Sequence, residues 1–155
     1  MHVREVMTES PWVCGPTATA QEAARVMWER DCGAVPVVDE SGCAIGIVTD
    51  RDICMAAYFS DRPLWAIGVG EVMSRDLCTI DAEAELASAE RRMQERQVRR
   101  LPVVAQDGSL VGILSLGDVA QAVSADGQSR QSARESQELI RTVTKVSEPR
   151  NQVAV

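Results

Sequence analysis

Two short stretches carry the residue types best suited to chemistry. Gly46-Ile47-Val48-Thr49-Asp50-Arg51-Asp52 and Gly112-Ile113-Leu114-Ser115-Leu116-Gly117-Asp118 share one pattern: glycine, two apolar residues, a hydroxyl, and an aspartate three residues after the hydroxyl. A hydroxyl at a helix start, beside the N–H groups of the first turn, attracts an anion such as phosphate. A carboxylate one turn further on accepts hydrogen bonds from a ribose diol. The same spacing makes a capping box, with Asp in the place usually held by Glu or Gln. On the residues alone both uses stay open. Arg51 in the first stretch could face phosphate, whereas Leu116-Gly117 in the second cannot.

The rest of the inventory argues against catalysis. His2 is the sole histidine, which removes Ser-His-Asp and Cys-His mechanisms and His-rich metal sites. Neither a P-loop nor a dinucleotide fingerprint occurs. The acidic pairs Asp50/Asp52 and Glu83/Glu85 sit at helix starts, where carboxylates complement the dipole. Five cysteines, at 14, 32, 43, 54 and 78, are irregularly spaced without a CxxC. They read as reduced thiols in a cytosol. A redox role is the rival reading, because Cys14 and Cys32 bracket the first helix. No catalytic residue and no metal site are expected.

The elements that must position these stretches come in two copies. At an offset of 66 residues, Glu5-Val6-Met7 falls on Glu71-Val72-Met73, Pro36-Val37-Val38 on Pro102-Val103-Val104, and Gly46, Ile47 and Asp52 on Gly112, Ile113 and Asp118. No gap is needed, so the chain is read as a duplication. In the first copy Thr19-Ala20-Gln21-Glu22 is a capping box, and Ala23, Ala24, Met27 and Trp28 follow at helical spacing to about Arg30. Strands over Ala34–Val38 and 44–48 flank the turn Glu40-Ser41-Gly42, and Thr49 opens a helix to about Tyr58. The second copy repeats this with a helix over 85–97, strands 101–104 and 110–114, and a helix 116–124. Short extended pieces precede each first helix, near Val13-Cys14 and Thr79-Ile80. The unit is β-α-β-β-α, and two such units packed sheet to sheet would bury both sheets.

Taken together, Val6-Met7-Thr8 with Val72-Met73-Ser74, the Pro-Val-Val strands and the two Gly-to-Asp stretches resemble a tandem pair of cystathionine β-synthase (CBS) domains, a Bateman module, over about residues 3–124. The resemblance implies an α+β fold of two repeats, 3–60 and 69–124, related by a pseudo-twofold. It implies clefts that bind AMP, ADP, ATP or S-adenosylmethionine as regulatory ligands, and modules that pair into a disc-like homodimer. By the same resemblance Thr49 and Asp52, and Ser115 and Asp118, match the phosphate- and ribose-contacting pairs. Residues just before the Leu-Pro-Val strand reach phosphate across the pseudo-twofold. Here that place holds Arg99-Arg100 in the second copy but Gly33-Ala34 in the first. The cationic pair is thus expected to serve the cleft of Thr49 and Asp52, making the clefts inequivalent. The plainer reading is a solvated strand start paired with glutamates. Cys14, Val35 and Pro36 are candidate walls for adenine, though all three also look like core. Trp28, where the second copy has Gln94, is either a dimer contact or a locally packed side chain.

Composition limits the partners. Hydrophobic residues make up 45% and charged residues 25%, which suits a soluble globular chain. Aromatics are 3%, so the core must be aliphatic. A formal charge of −7 argues against nucleic acid and anionic membranes. No leader or spanning segment is read, and a cytoplasmic location is expected. The connector 60–70 contains Leu64, Trp65 and Ile67 and reads as ordered. In the tail, 125–155, Leu139, Val143 and Val146 suggest a short helix over 138–146, stopped by Pro149, with a frayed end. The reading that results is a non-catalytic sensor acting on a separate effector protein. Its rivals are a ligand-free interaction module and a cysteine-based redox protein.

Overall fold

The computed structural model describes residues 1–125 and 130–148. Each copy is built on an antiparallel hairpin. In the first, β2 (Ala34–Val38) pairs with β3 (Ala44–Thr49); in the second, β5 (Arg100–Val104) pairs with β6 (Leu110–Ser115). The turns are set by local chemistry. Oδ1 of Asp39 accepts from the backbone and hydroxyl of Ser41 and from Cys43 N–H, and Asp107 does the same for Ser109. These bonds, led by the serine hydroxyls, hold both carboxyls below the usual range. Gly42 and Gly108 close the turns at φ 81° and 85°, where a side chain would be strained.

Each hairpin is covered by two helices. They are α1 (Ala20–Glu29) and α2 (Asp50–Ser60) in the first copy, α4 (Leu86–Arg96) and α5 (Leu116–Ala125) in the second. Val35, Val37 and Val48 meet Ala23, Met27 and Ile53 in one core, and Leu101, Val103 and Leu114 meet Ala89, Met93 and Val119 in the other. Both cores are aliphatic, as the composition requires. Strand alternation turns Ala34, Pro36 and Pro102 to the opposite face, where they are also buried.

The segments before each first helix change places, which the repeat pattern did not reveal. β1 (Thr8–Glu9) is an edge strand on the second copy's β6, with Thr8 opposite Ile113. In the same way Ser74 exchanges backbone bonds of 2.9 and 3.2 Å with Ile47 of the first copy. The helical turn Val3–Glu5 and its counterpart α3 (Val69–Val72), which precede them in the chain, cross over as well. Val3 is buried in the second core and Val69 in the first, with Val3 N–H donating to Ala84 and Val69 N–H to Ala18. β4 (Ile80–Asp81) lies parallel to β5, and Cys14 bridges to Val37 in the matching place. The hairpins meet at Cys43 and Ser109, where Leu110 N–H donates to Gly42. Each copy therefore completes the other's sheet and core.

A final helix, α6 (Arg130–Ser147), lies over α4 and α5. It starts well before Glu138, the start the apolar spacing suggests. Its buried face is Leu139, Thr142 and Val146 rather than Leu139, Val143 and Val146, and Val143 and Ile140 are exposed. Thr142 can be buried because its hydroxyl donates to the carbonyl of Glu138 and accepts from Gln94 Nε2 at 2.9 Å. The end of the tail, 149–155, lies outside the described residues. Among the described residues no helix is long and apolar enough to cross a membrane.

Candidate functional site

The two Gly-to-Asp stretches sit at strand-to-helix junctions, and each forms a complete capping box. Oδ2 of Asp52 accepts from Thr49 N–H at 2.9 Å and from its hydroxyl at 2.7 Å, while Asp52 N–H donates back to Oγ1 at 3.2 Å. Asp118 and Ser115 repeat this at 2.7, 2.7 and 3.2 Å. Both bonds to each aspartate end on Oδ2, which leaves Oδ1 to point elsewhere. The cap reading is thus realised in the structure, and it does not consume the aspartate's second oxygen.

The first-turn N–H groups of α2 are less available than the sequence pattern suggests. Asp50 N–H donates to Gly33 at 3.4 Å, and Arg51 N–H donates to Oδ1 of Asp50 at 2.7 Å. An anion at this helix start must therefore rely on side chains or displace Asp50. The Arg51 side chain is exposed.

Arg100 bridges the two copies. It stands opposite Ser115 in the β5–β6 register, yet its guanidinium reaches the first copy. A β-carbon built on Gly33 would lie 3.0 Å from its Nη2 and 3.2 Å from Oδ2 of Asp50. The missing side chain at Gly33 makes room for this approach. Arg100 is half-buried and Arg99 exposed, and the Arg99 carbonyl accepts from Leu116 N–H at 3.0 Å. The corresponding residues of the first copy, Gly33 and Ala34, bring no charge to the Ser115 and Asp118 junction. Sequence reasoning missed Asp50 and Gly33 as neighbours of Arg100. The offset contained a hint, since Gly33 is the counterpart of Arg99 and Asp50 that of Leu116.

The three expected adenine walls divide. Val35 must be corrected: alternation turns it into the helix-covered core with Ile53 and Met27, with no exposed surface. Pro36 lies on the other face, and its carbonyl accepts from Cys14 N–H at 3.1 Å. Burial, with Glu22 nearby, pushes the Cys14 thiol up to about 11, so it stays protonated and a poor nucleophile. A groove of about 480 Å³ opens elsewhere, beside Arg4, Met7, Asp81, Glu83 and Asp107, and contains none of the expected site residues. Arg4 and Glu83 pair there at 2.6 Å. Among the described residues no group of three or more His, Cys, Asp or Glu side chains converges to hold a metal.

Two β-α-β-β-α units that exchange their N-terminal segments define a tandem α+β repeat module. The chain belongs to the CBS domain family, whose signature matches residues 3–58 and 69–125. It is 41% identical over 118 residues to the CBS domain-containing protein YhcV of Bacillus subtilis, covering 76% of this chain and 82% of that protein. Hypoxic response protein 1 of Mycobacterium tuberculosis is 31% identical over the same share of each. Among solved structures, CBSX2 in complex with AMP superposes with a TM-score of 0.73 at 28% identity, over 82% of this chain and 98% of that one; CBSX2 comes from Arabidopsis thaliana.

Proposed function

We propose that this chain is a non-catalytic regulatory module that binds a phosphorylated adenosine nucleotide in the cleft carrying Thr49 and Asp52. The observation that carries the reading is Arg100, whose guanidinium leaves the second copy to reach Gly33 of the first, beside which Asp50 also lies. A guanidinium placed between two copies suits phosphate better than a plain strand start. The AMP complex of CBSX2, at 28% identity, supports the same ligand class. In this scheme Asp50 stands near Arg100 until phosphate takes its place, with Arg51 and Arg99 at the exposed rim. Oδ1 of Asp52 accepts from the ribose diol while Oδ2 keeps the cap. Because Arg100 begins β5, tightening on phosphate pulls the second hairpin toward the first, and an effector protein reads that change. The cleft of Ser115 and Asp118 has no matching cation and suits an uncharged or cationic adenosyl group such as S-adenosylmethionine. The protein acts in the cytoplasm as a homodimer, with repeats 3–60 and 69–124.

Calorimetric titration with AMP tests this. Arg100→Ala removes a charge-assisted contact and should weaken AMP by roughly 10- to 100-fold, with an unchanged unfolding midpoint. Unchanged affinity would remove Arg100 from the site. A ligand-free interaction module is the second reading, favoured by capping boxes that are complete without any ligand.

A further inference from the structure

The helix α6 has no counterpart in the first copy, and a narrow face holds it to the second. Leu139 and Val146 join the second core, and Thr142 is buried. Gln94 Nε2 of α4 donates to Oε1 of Glu138 at 2.7 Å and to the Thr142 hydroxyl at 2.9 Å, and Gln97 Nε2 donates to the Lys145 carbonyl at 3.4 Å. Ile140 and Val143 are exposed. The first copy shows that the repeat stands without such a cover: Trp28, the counterpart of Gln94, is 89% exposed.

Between α4 and α6 lies Glu90, whose counterpart in the first copy is Ala24, so the repeat itself does not require a carboxyl at this place. Glu90 is buried, and its Oε1 has no hydrogen-bond partner among the described residues. Glu138 and Glu135 face it from α6. The cations of both helices are engaged elsewhere or lie outside. Arg92 donates to the Thr79 carbonyl, Arg96 pairs with Asp76 at 2.5 Å, Arg141 with Glu138 at 3.6 Å and Lys145 with Glu148 at 2.6 Å. Arg91, Glu95 and Arg134 are exposed. The neighbouring helix α5 brings one charged residue, Asp118, held in its cap by Ser115. An ionised carboxyl among these neighbours is costly, whereas a protonated one is tolerated.

We infer that α6 is a pH-sensitive latch, which lies on α4 while Glu90 keeps its proton and lifts away when Glu90 loses it, leaving both repeats folded. With α6 lifted, Glu90 meets water and titrates in the ordinary carboxyl range. With α6 in place, burial first, and then the charges of Glu138 and Glu135, push its carboxyl up to about 7. The docked state thus holds a proton that the lifted state gives up. Docking is strongest below pH 4.5 and weakens as pH rises through about 7. Between pH 5 and pH 8 the docking equilibrium falls roughly 50- to 100-fold. A helix of 18 residues is marginal in water without tertiary contacts, so lifting also loosens α6 itself. The latch uses no residue of the cleft that carries Thr49 and Asp52.

Amide hydrogen exchange of the full chain between pH 5 and pH 8, with each rate divided by the intrinsic rate at that pH, tests the latch. Amides of α6 should be less protected than those of β5 and β6 at every pH, because α6 opens without the strands. In the wild type, α6 protection should fall roughly 50- to 100-fold across this interval. In Glu90→Gln, whose side chain cannot ionise, it should stay flat. Leu139→Ala removes an apolar contact of α6 and should lower α6 protection at each pH while keeping the fall, which reads the same slope in a second background. Amides of α6 that exchange as slowly as those of the strands would mean that α6 opens only when the whole chain unfolds, and would overturn the latch. An equal fall in Glu90→Gln and the wild type would overturn Glu90 as its trigger.

Discussion

Glu90 makes a pH dependence that runs against the usual behaviour of carboxylates. It is 5% exposed, its Oε1 has no hydrogen-bond partner among the described residues, and Glu135 and Glu138 of α6 face it. Burial first, and then these two charges, push its carboxyl from 4.5 up to about 7. The folded state therefore holds a proton that the unfolded chain releases. Stability from this group is fully present below pH 4.5 and falls as pH rises through about 7. At 1.36 kcal/mol per unit the loss has a ceiling of about 3 kcal/mol. Glu22, Asp39, Glu71 and Asp107 shift the other way, held down by hydrogen bonds. Their contribution is present above the ordinary carboxyl range and is lost only as pH falls below it, so it is flat between pH 5 and 8. Urea unfolding of the wild type and Glu90→Gln across that interval isolates the effect. The wild type should lose stability toward pH 8, and the variant should lose about 2–3 kcal/mol less. Parallel curves for the two proteins would refute the reasoning, because Glu90 would then titrate alike folded and unfolded.

Two further substitutions probe the junctions and the exchanged segments. Thr49→Ala and Ser115→Ala remove equivalent caps, so each should cost about 1 kcal/mol in chemical unfolding; only Thr49→Ala should also weaken AMP in a titration. Gly46→Ala would set a β-carbon 2.6 Å from Sδ of Met73 and 3.1 Å from the Ser74 carbonyl. That pushes the exchanged segment off β3 and should lower stability by about 1–3 kcal/mol, measured as a lower urea midpoint; Gly112 meets Met7 and Thr8 in the same way.

Much of the fold can be read from local pattern. Helical spacing around Met27 and Met93, the apolar strands and the glycine turns all act within a dozen residues, and duplication states them twice. What local pattern does not carry is which distant segments pair. Val6-Met7-Thr8 and Val72-Met73-Ser74 stand out as repeated, yet nothing within them says that each joins the other copy's sheet. The burial of Thr142 was hidden for a similar reason, since it depends on Gln94 across the interface. At the site, the asymmetry of Arg99-Arg100 against Gly33-Ala34 is legible in the sequence, whereas the reach of Arg100 to Gly33 is a feature of the folded chain alone. Asp50 reads as an ordinary first-turn carboxylate, because its place beside Gly33 and the Arg100 guanidinium arises only when the copies meet. Val35 failed as a wall through simple strand alternation, which places it with Val37 in the core.

The most direct measurement is the stoichiometry of AMP on the wild-type chain by calorimetry. One saturable site per chain, weakened in Arg100→Ala and in Asp52→Ala but not in Asp118→Ala, is the predicted result. Two equivalent sites per chain would contradict the asymmetry drawn from Arg100, and no heat with AMP, ADP or ATP would contradict the phosphorylated ligand itself.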